Sequence, residues 1–320
     1  MDNIYLITII GIFLSMGLGK VIIPILKRKK IGQNIRKVGP QSHMAKEGTP
    51  TMGGVIFIIV ALVMSIVILP KNLETLILLV SMVGFGAIGF IDDFRKLVLH
   101  QSEGLKPKQK LVLQFVLAGI ITILAYVNDK DSITRLLIPF TSYYLPVSVI
   151  GIPLMIFIIV GTSNATNLTD GLDGLLVSVS IPVFISLAII AKTSQNKLFA
   201  VIMLGTILGF LIYNSNPASV FMGDTGSMAI GGAIVALAIN LKIPIYLVIF
   251  GGVYVMETLS VIIQVISYRY RNKKRVFLMT PIHHHFELKG YKEQKIVVGF
   301  MIISTILCLI SLVAILWKKF

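Results

Sequence analysis

Apolar residues in this chain come in blocks of about 20 with almost no charge inside them, and this pattern restricts the fold more than any other feature. A bilayer core of ~30 Å needs ~20 apolar residues per crossing helix. A soluble domain carries about 25% charged residues, whereas here 13% are charged and 56% hydrophobic over 320 residues. That balance excludes an ordinary soluble enzyme, and alternating hydrophobicity is nowhere long enough for an outer-membrane barrel. Reading apolar runs between polar punctuation places spans near 4–26, 53–69, 74–91, 111–127, 147–163, 174–191, 198–213, 228–241, 245–267 and 296–317. The chain is therefore predicted to be all-α, a polytopic membrane protein with about ten transmembrane helices in a single domain over 1–320. Several runs are short for a crossing helix, which predicts helices that begin inside the flanking polar loops. The first block reads as a retained span rather than a removable signal. The single cysteine, Cys308, excludes an intramolecular disulfide and reads as a lipid-facing or packing residue.

Charge sets the sidedness. The chain has 29 Lys and Arg against 14 Asp and Glu, a net charge of +15. Ten spans put both termini on one side and five loops, 27–52, 92–110, 164–173, 214–227 and 268–295, on the other; these five hold 20 of the 29 basic residues. The positive-inside tendency makes them cytoplasmic and both termini external. The external connection 128–146 is long enough for a short interfacial helix.

The polar residues that are not simply basic collect in those same five loops. Carboxylates at a membrane edge are costly unless paired, hydrated or bound to metal. Asp92 and Asp93 close the third span, and two adjacent carboxylates call for a cation such as Mg²⁺ or a nearby Lys; Arg95 and Lys96 follow directly. Asn164, Asn167, Asp170 and Asp173 recur every three residues in a loop with no Lys or Arg, which predicts a loop or tight helical start rather than one helix face. Asn214 opens a segment in which Phe221 precedes Gly223-Asp224-Thr225-Gly226, so that backbone amides at a helix start can approach an anion while Asp224 holds a metal. His283, His284 and His285 are consecutive, follow the basic run Arg269, Arg271, Lys273, Lys274, Arg275, and suit phosphate contact or metal, although a chelating triad is excluded by their spacing. Lys46 to Gly54, with Thr51, suits phosphate without being a Walker loop.

Five Asp, an Asn and Thr lining, three His and many cations on one membrane face have the composition of a Mg²⁺-dependent phosphoryl-transfer site. A site opening at the bilayer surface admits a lipid phosphate from the membrane and an anion from the cytosol. An anion transporter would also have ten helices and membrane-edge cations, but would place ionisable residues near the midplane and show repeat symmetry.

At these residues the sequence resembles the polyprenyl-phosphate N-acetylhexosamine-1-phosphate transferases. GTPTMGG at 48–54, DD at 92–93, NATNLTDGLDG at 164–174, FMGDTGS at 221–227 and PIHHHFE at 281–287 follow the order of that family's motifs along the whole chain. The HHH run is similar to the branch that uses UDP-MurNAc-pentapeptide in bacterial peptidoglycan synthesis, and argues against the sister branch acting on UDP-N-acetylglucosamine. The resemblance implies that UDP-MurNAc-pentapeptide and undecaprenyl phosphate give lipid I and UMP with Mg²⁺ as cofactor. It also implies a homodimer among membrane lipids, with no nucleic-acid partner. By motif it makes Asp224 the Mg²⁺ ligand and Asp92 the base toward the lipid phosphate, with Asp93 beside it. Lys46, Thr51, Asn164, Asn167, Asp170, Asp173 and Asn214 fall around the nucleotide sugar, Phe221 on the uracil, and His283, His284 and His285 at the substrate or diphosphate. The resemblance is compatible both with Asp92 deprotonating the lipid phosphate and with a covalent phosphosugar on a carboxylate.

Overall fold

The computed structural model describes residues 3–28, 48–97 and 104–316. Its helices are α1 (Ile4–Arg28), α2 (Gly54–Ile68), α3 (Leu73–Leu97), α4 (Pro107–Asn128), the single turn α5 (Asp131–Thr134), α6 (Gly151–Thr169), α7 (Leu175–Ile190), α8 (Ser194–Asn214), α9 (Gly223–Asn240), the single turn α10 (Leu247–Phe250), α11 (Gly252–Tyr270), α12 (Ile282–Leu288) and α13 (Glu293–Leu316). The chain is an all-α polytopic membrane protein. Among the described residues, six helices are long and apolar enough to cross a bilayer, or seven if Pro244–Phe250 and Gly252–Tyr270 count as one bent span. Apolar side chains such as Val67, Phe157 and Val265 cover its outside, as expected where the solvent is hydrocarbon.

Three expectations need adjusting. The span read as 245–267 is broken by 82° at Gly251, between the short segment Pro244–Phe250 and α11, where the Gly251-Gly252 pair lets the helix change direction. The connection 128–146 holds, besides α5, a small antiparallel hairpin of β1 (Arg135–Leu137) and β2 (Tyr144–Pro146), paired Leu136 to Leu145. Residues 164–169, read as a loop or tight helical start, continue α6 through Asn164 and Asn167 to Thr169, while α9 starts inside a polar loop at Gly223, as the short run predicts, so Asp224 sits in its first turn. Cys308 is buried against the Phe250 carbonyl and is a packing residue.

The centre of the bundle is α9, in which every residue from Thr225 to Ile239 is buried. Its apolar residues are mostly Ala, Gly and Ile, and α2, α3 and α6 approach it closely. Small residues set that approach, as they do generally between membrane helices. A Cβ at Gly89 on α3 would stand 2.1 Å from the Asp224 carbonyl oxygen, and one at Gly232 would stand 2.5 Å from the Ser81 carbonyl oxygen. Ser81 Oγ also donates to Gly232 O at 2.8 Å. α3 and α9 are thus held in one register along their length, which fixes Asp92 and Asp93 relative to Asp224.

Candidate active site

At one end of that α3–α9 seam, Asp92, Asp93 and Asp224 each offer a carboxylate oxygen, all within 4.8 Å of one another. Asp92 and Asp93 are almost fully buried in the last turns of α3, while Asp224 keeps about a quarter of its side chain exposed. Two lysines supply counter-charge. Lys96, one turn after Asp92, forms an ion pair with it and lies 3.6 Å from Asp224. Lys110, in the first turn of α4, reaches Asp224 at 2.5 Å and Asp92 at 3.7 Å. Three carboxylates and two ammonium groups leave a surplus negative charge in a half-closed site. This donor set, all hard oxygen, fits Mg²⁺.

The two neighbouring carboxylates do different work. Asp92 Oδ1 accepts the Leu105 amide at 2.7 Å, anchoring the approach to α4, and its other oxygen faces the lysines. Asp93 caps α9: it accepts the Thr225 amide at 2.9 Å, the Thr225 hydroxyl at 2.6 Å and the Asp224 amide at 3.3 Å. The orphan amides of a helix start are thereby satisfied by a residue from another helix. Gly223 has φ +73, and a Cβ there would stand 2.6 Å from Asp93 Oδ2 and 2.9 Å from Thr51 Oγ1, so only glycine suits this entry to α9.

The strip 48–54 lies along this entry. Phe221 N donates to Pro50 O at 2.8 Å, Gly53 N to Phe221 O at 2.9 Å and Gly54 N to Met222 O at 3.0 Å. That short ladder leaves Phe221 half-buried and Thr51 fully buried, with its hydroxyl lacking a hydrogen-bond partner among the described residues. Lys46 lies outside the described residues.

Asp170 caps the end of α6, its amide donating to Asn167 O at 3.3 Å, while its carboxylate has no hydrogen bond or ion pair among the described residues. Burial, then the charges of Asp224, Asp93 and Asp173, push its carboxyl up to about 8. Three of the five aspartates, Asp92, Asp93 and Asp224, thus form one cluster, and Asp170 is near enough to feel the charge of two of them. Asp173 is otherwise engaged: it accepts the Ala218 amide at 2.9 Å and Asn216 Nδ2 at 3.3 Å, while its own amide donates to Glu293 Oε1 at 2.7 Å. It clamps the 215–218 loop to the start of α13. Asn214 is buried and donates to Val220 O at 3.1 Å, holding the same loop from inside. Asn164 exchanges amide hydrogen bonds with Gln114 of α4 at 2.8 and 3.3 Å, and Asn167 donates to Ser227 of α9 at 3.2 Å.

The histidines form α12. His283 is fully buried with its Nδ1 3.0 Å from Glu257 Oε2, yet the alignment is not that of a hydrogen bond, and both ring nitrogens and both Glu257 oxygens lack a hydrogen-bond partner among the described residues. A Cβ on Gly171 would stand 2.0 Å from His283 Nε2, so the ring packs directly on the turn that carries Asp170. His284 Nδ1 lies 2.6 Å from Glu287 Oε2, and His285 Nδ1 accepts the Leu278 amide at 3.1 Å. Burial, then Lys289, lowers the basicity of His285.

Lys110, Glu257, Gln114 and Glu293 did not stand out in the sequence. Lys110 belongs to an ordinary-looking PKQK string before a span, and only the fold shows that it turns back onto Asp224.

Residues 75–242, which carry the buried and paired carboxylates at the end of the bundle, match the family model of glycosyl transferase family 4, a membrane transferase class. Residues 46–58 match signature 1 of the phospho-N-acetylmuramoyl-pentapeptide-transferases. A protein of that name from Staphylococcus carnosus is 48% identical over 316 residues, covering 97% of this chain and 98% of the relative. One from Clostridium botulinum (strain Alaska E43 / Type E3) is 46% identical over 310 residues (96% and 94%), and one from Desulfitobacterium hafniense is 44% identical over 331 residues (98% of each). The chain belongs to the phospho-N-acetylmuramoyl-pentapeptide-transferase family.

Proposed function

We infer that this protein transfers phospho-MurNAc-pentapeptide from UDP-MurNAc-pentapeptide to undecaprenyl phosphate, giving lipid I and UMP in peptidoglycan synthesis. The observation that carries the reading is the Asp92, Asp93, Asp224 cluster with Lys96 and Lys110 at one end of the bundle, in a chain of this family. A lipid-phosphate oxygen forms a bond to the sugar-bearing phosphorus, and the diphosphate bridge breaks to leave UMP. Bound Mg²⁺, held by Asp224 with its neighbouring carboxylates, would neutralise charge on the diphosphate and the departing phosphate.

The chain's own residues do the rest. Asp92 is the group beside the lipid phosphate: one oxygen accepts the Leu105 amide and the other is paired with Lys96, so it takes a proton or attacks once that lysine turns to the phosphate. Lys96 and Lys110 offset charge as it shifts between phosphate oxygens. Asp93 positions Asp224 by capping α9. Phe221, half-buried and three residues before Asp224, stacks on uracil. Thr51, Asn164, Asn167, Asp170, Asp173 and Asn214 frame the nucleotide sugar, Lys46 joins them, and His284 and His285 face the diphosphate and substrate, with His283 buried behind them against Glu257 and the turn that carries Asp170. Of these, Asn164, Asp173 and Asn214 act chiefly by holding the frame, since their side chains already bond within it.

The reading extends to a single domain with ten membrane crossings, both termini outside and the site cytoplasmic, in a plasma-membrane homodimer. Its support is the co-location of the carboxylates with the basic loops. Purified protein given both substrates and Mg²⁺ is expected to release UMP over many turnovers, and at most one equivalent when the lipid phosphate is omitted. Sustained release without the lipid phosphate would mean hydrolysis and overturn the transfer.

A further inference from the structure

The end of the bundle opposite the carboxylates holds a groove that the transferase chemistry does not use. It has a volume of about 510 Å³ and lies between the start of α1, the end of α7 and the start of α8. Its origin is visible in the packing. Deeper in the bundle α1 and α8 touch backbone to backbone, because a Cβ at Gly205 would stand 2.5 Å from Thr8 O and one at Gly209 would stand 2.4 Å from Ile12 O. Toward the end of the bundle α8 carries Leu204, Val201 and Lys197 on the same face instead of glycine, the two helices part, and the gap opens.

The lining has two unlike parts. Ile9 of α1, Ile189 of α7, and Val201 and Leu204 of α8 make an apolar trough, and Thr8 adds no free polar group because its hydroxyl donates to Ile4 O at 2.9 Å. Lys197, four residues into α8, is the only charged residue of the lining; it is exposed and has no ion pair among the described residues. Tyr5, 77% exposed, stands at the same rim, where interfacial aromatics gather. From Lys197 to Leu204 the trough runs about 10 Å along the helix, most of one leaflet's hydrocarbon depth of about 15 Å.

We propose that this groove is a site for an anionic phospholipid, with an acyl chain in the α1–α7–α8 trough and the phosphate on Lys197. Apolar trough and lone cation are complementary to a lipid of that charge, and neither part alone selects it. Lys192, on the same α7–α8 turn, lines a different, polar cavity of about 710 Å³ and serves as a control.

The test is native mass spectrometry of the delipidated protein with phosphatidylglycerol and phosphatidylcholine of equal chain length, alongside inorganic phosphate. Phosphatidylglycerol should be retained roughly fivefold better than phosphatidylcholine, the contribution of about one lysine near an anionic headgroup. Lys197→Ala should abolish that preference, Lys197→Arg should restore it, and Lys192→Ala should leave it intact. Ala188→Trp should fill the trough and weaken both lipids, and inorganic phosphate should not compete. Equal retention of the two lipids by the wild type, or an unchanged preference in Lys197→Ala, would overturn the proposal. So would lipid loss on dimerisation with a second copy seated over Ile189, or competition by inorganic phosphate.

Discussion

Gly89→Ala places one methyl group at the point where α3 meets the peptide of Asp224. The new Cβ would stand 2.1 Å from the Asp224 carbonyl oxygen, 2.3 Å from its carbon and 2.6 Å from the Thr225 nitrogen, whereas ordinary contact begins at 3.4 Å. α9 cannot retreat freely, because its residues 225–239 are buried on all sides. The helices must therefore part by about 1 Å at the level of the carboxylates, a displacement that can cost on the order of 10²-fold in rate. Overpacking of this kind also destabilises by about 1–3 kcal/mol. The reading is taken from UMP release at saturating substrates and from the melting temperature of the purified protein. Gly119→Ala on α4, where an added Cβ meets nothing within 4 Å, is the control and should keep full turnover. Wild-type turnover and an unchanged melting temperature in Gly89→Ala would refute the idea that the α3–α9 contact sets the spacing of the site.

Phe221→Ala should weaken binding of the UDP-sugar by roughly 5-fold to 150-fold, the worth of ~1–3 kcal/mol of base stacking, and leave apparent affinity for the lipid phosphate unchanged. Loss of both affinities together would make Phe221 a packing residue. Asp170 is raised from 3.8 to about 8 in the folded protein, so its contribution to stability is present below about pH 4 and is lost as pH rises through 8. Without divalent cation, the melting temperature should fall across that window, and Asp170→Asn should flatten the fall; an identical profile in the variant would show that Asp170 is not held in its neutral form. In a Cys308→Ala background, Lys106→Cys and Asn272→Cys should label only from the cytoplasm and Asn128→Cys only from outside. Labelling of Asn272→Cys from outside would reverse the orientation.

Much of this architecture is legible in the sequence because hydrocarbon leaves few alternatives: apolar length reports the helices directly. Each predicted apolar run has a helix at its centre. The ends were harder to place, since polar residues such as Asn164, Asn167 and Asp224 remain helical when a neighbouring helix satisfies them, as Gln114, Ser227 and Lys110 do. The break at Gly251 escaped because a bent apolar helix and a straight one have the same composition.

Within the site, motif and charge identified Asp92, Asp93 and Asp224, but nothing local says that Asp93 would spend its oxygens on the Thr225 amide and hydroxyl while Asp92 faces lysine. Such division of labour depends on partners that are distant in sequence. Lys110 lies 114 positions before Asp224, and Glu293 lies 120 positions after Asp173. For the same reason the three consecutive histidines looked equivalent, although packing buries only His283 and sets it against Glu257 and Gly171.

The claim on which the chemistry rests is that Asp224 and its two neighbours hold a divalent cation. Mn²⁺ titrated into the metal-free protein and followed by electron paramagnetic resonance tests it without turnover. Wild-type protein should bind one Mn²⁺ per chain, displaceable by Mg²⁺, and Phe221→Ala should bind it equally well. Asp224→Asn should fold, remain in the membrane and lose that binding together with UMP release. Undiminished Mn²⁺ binding in Asp224→Asn would contradict the placement of the cation and, with it, the role given to the cluster.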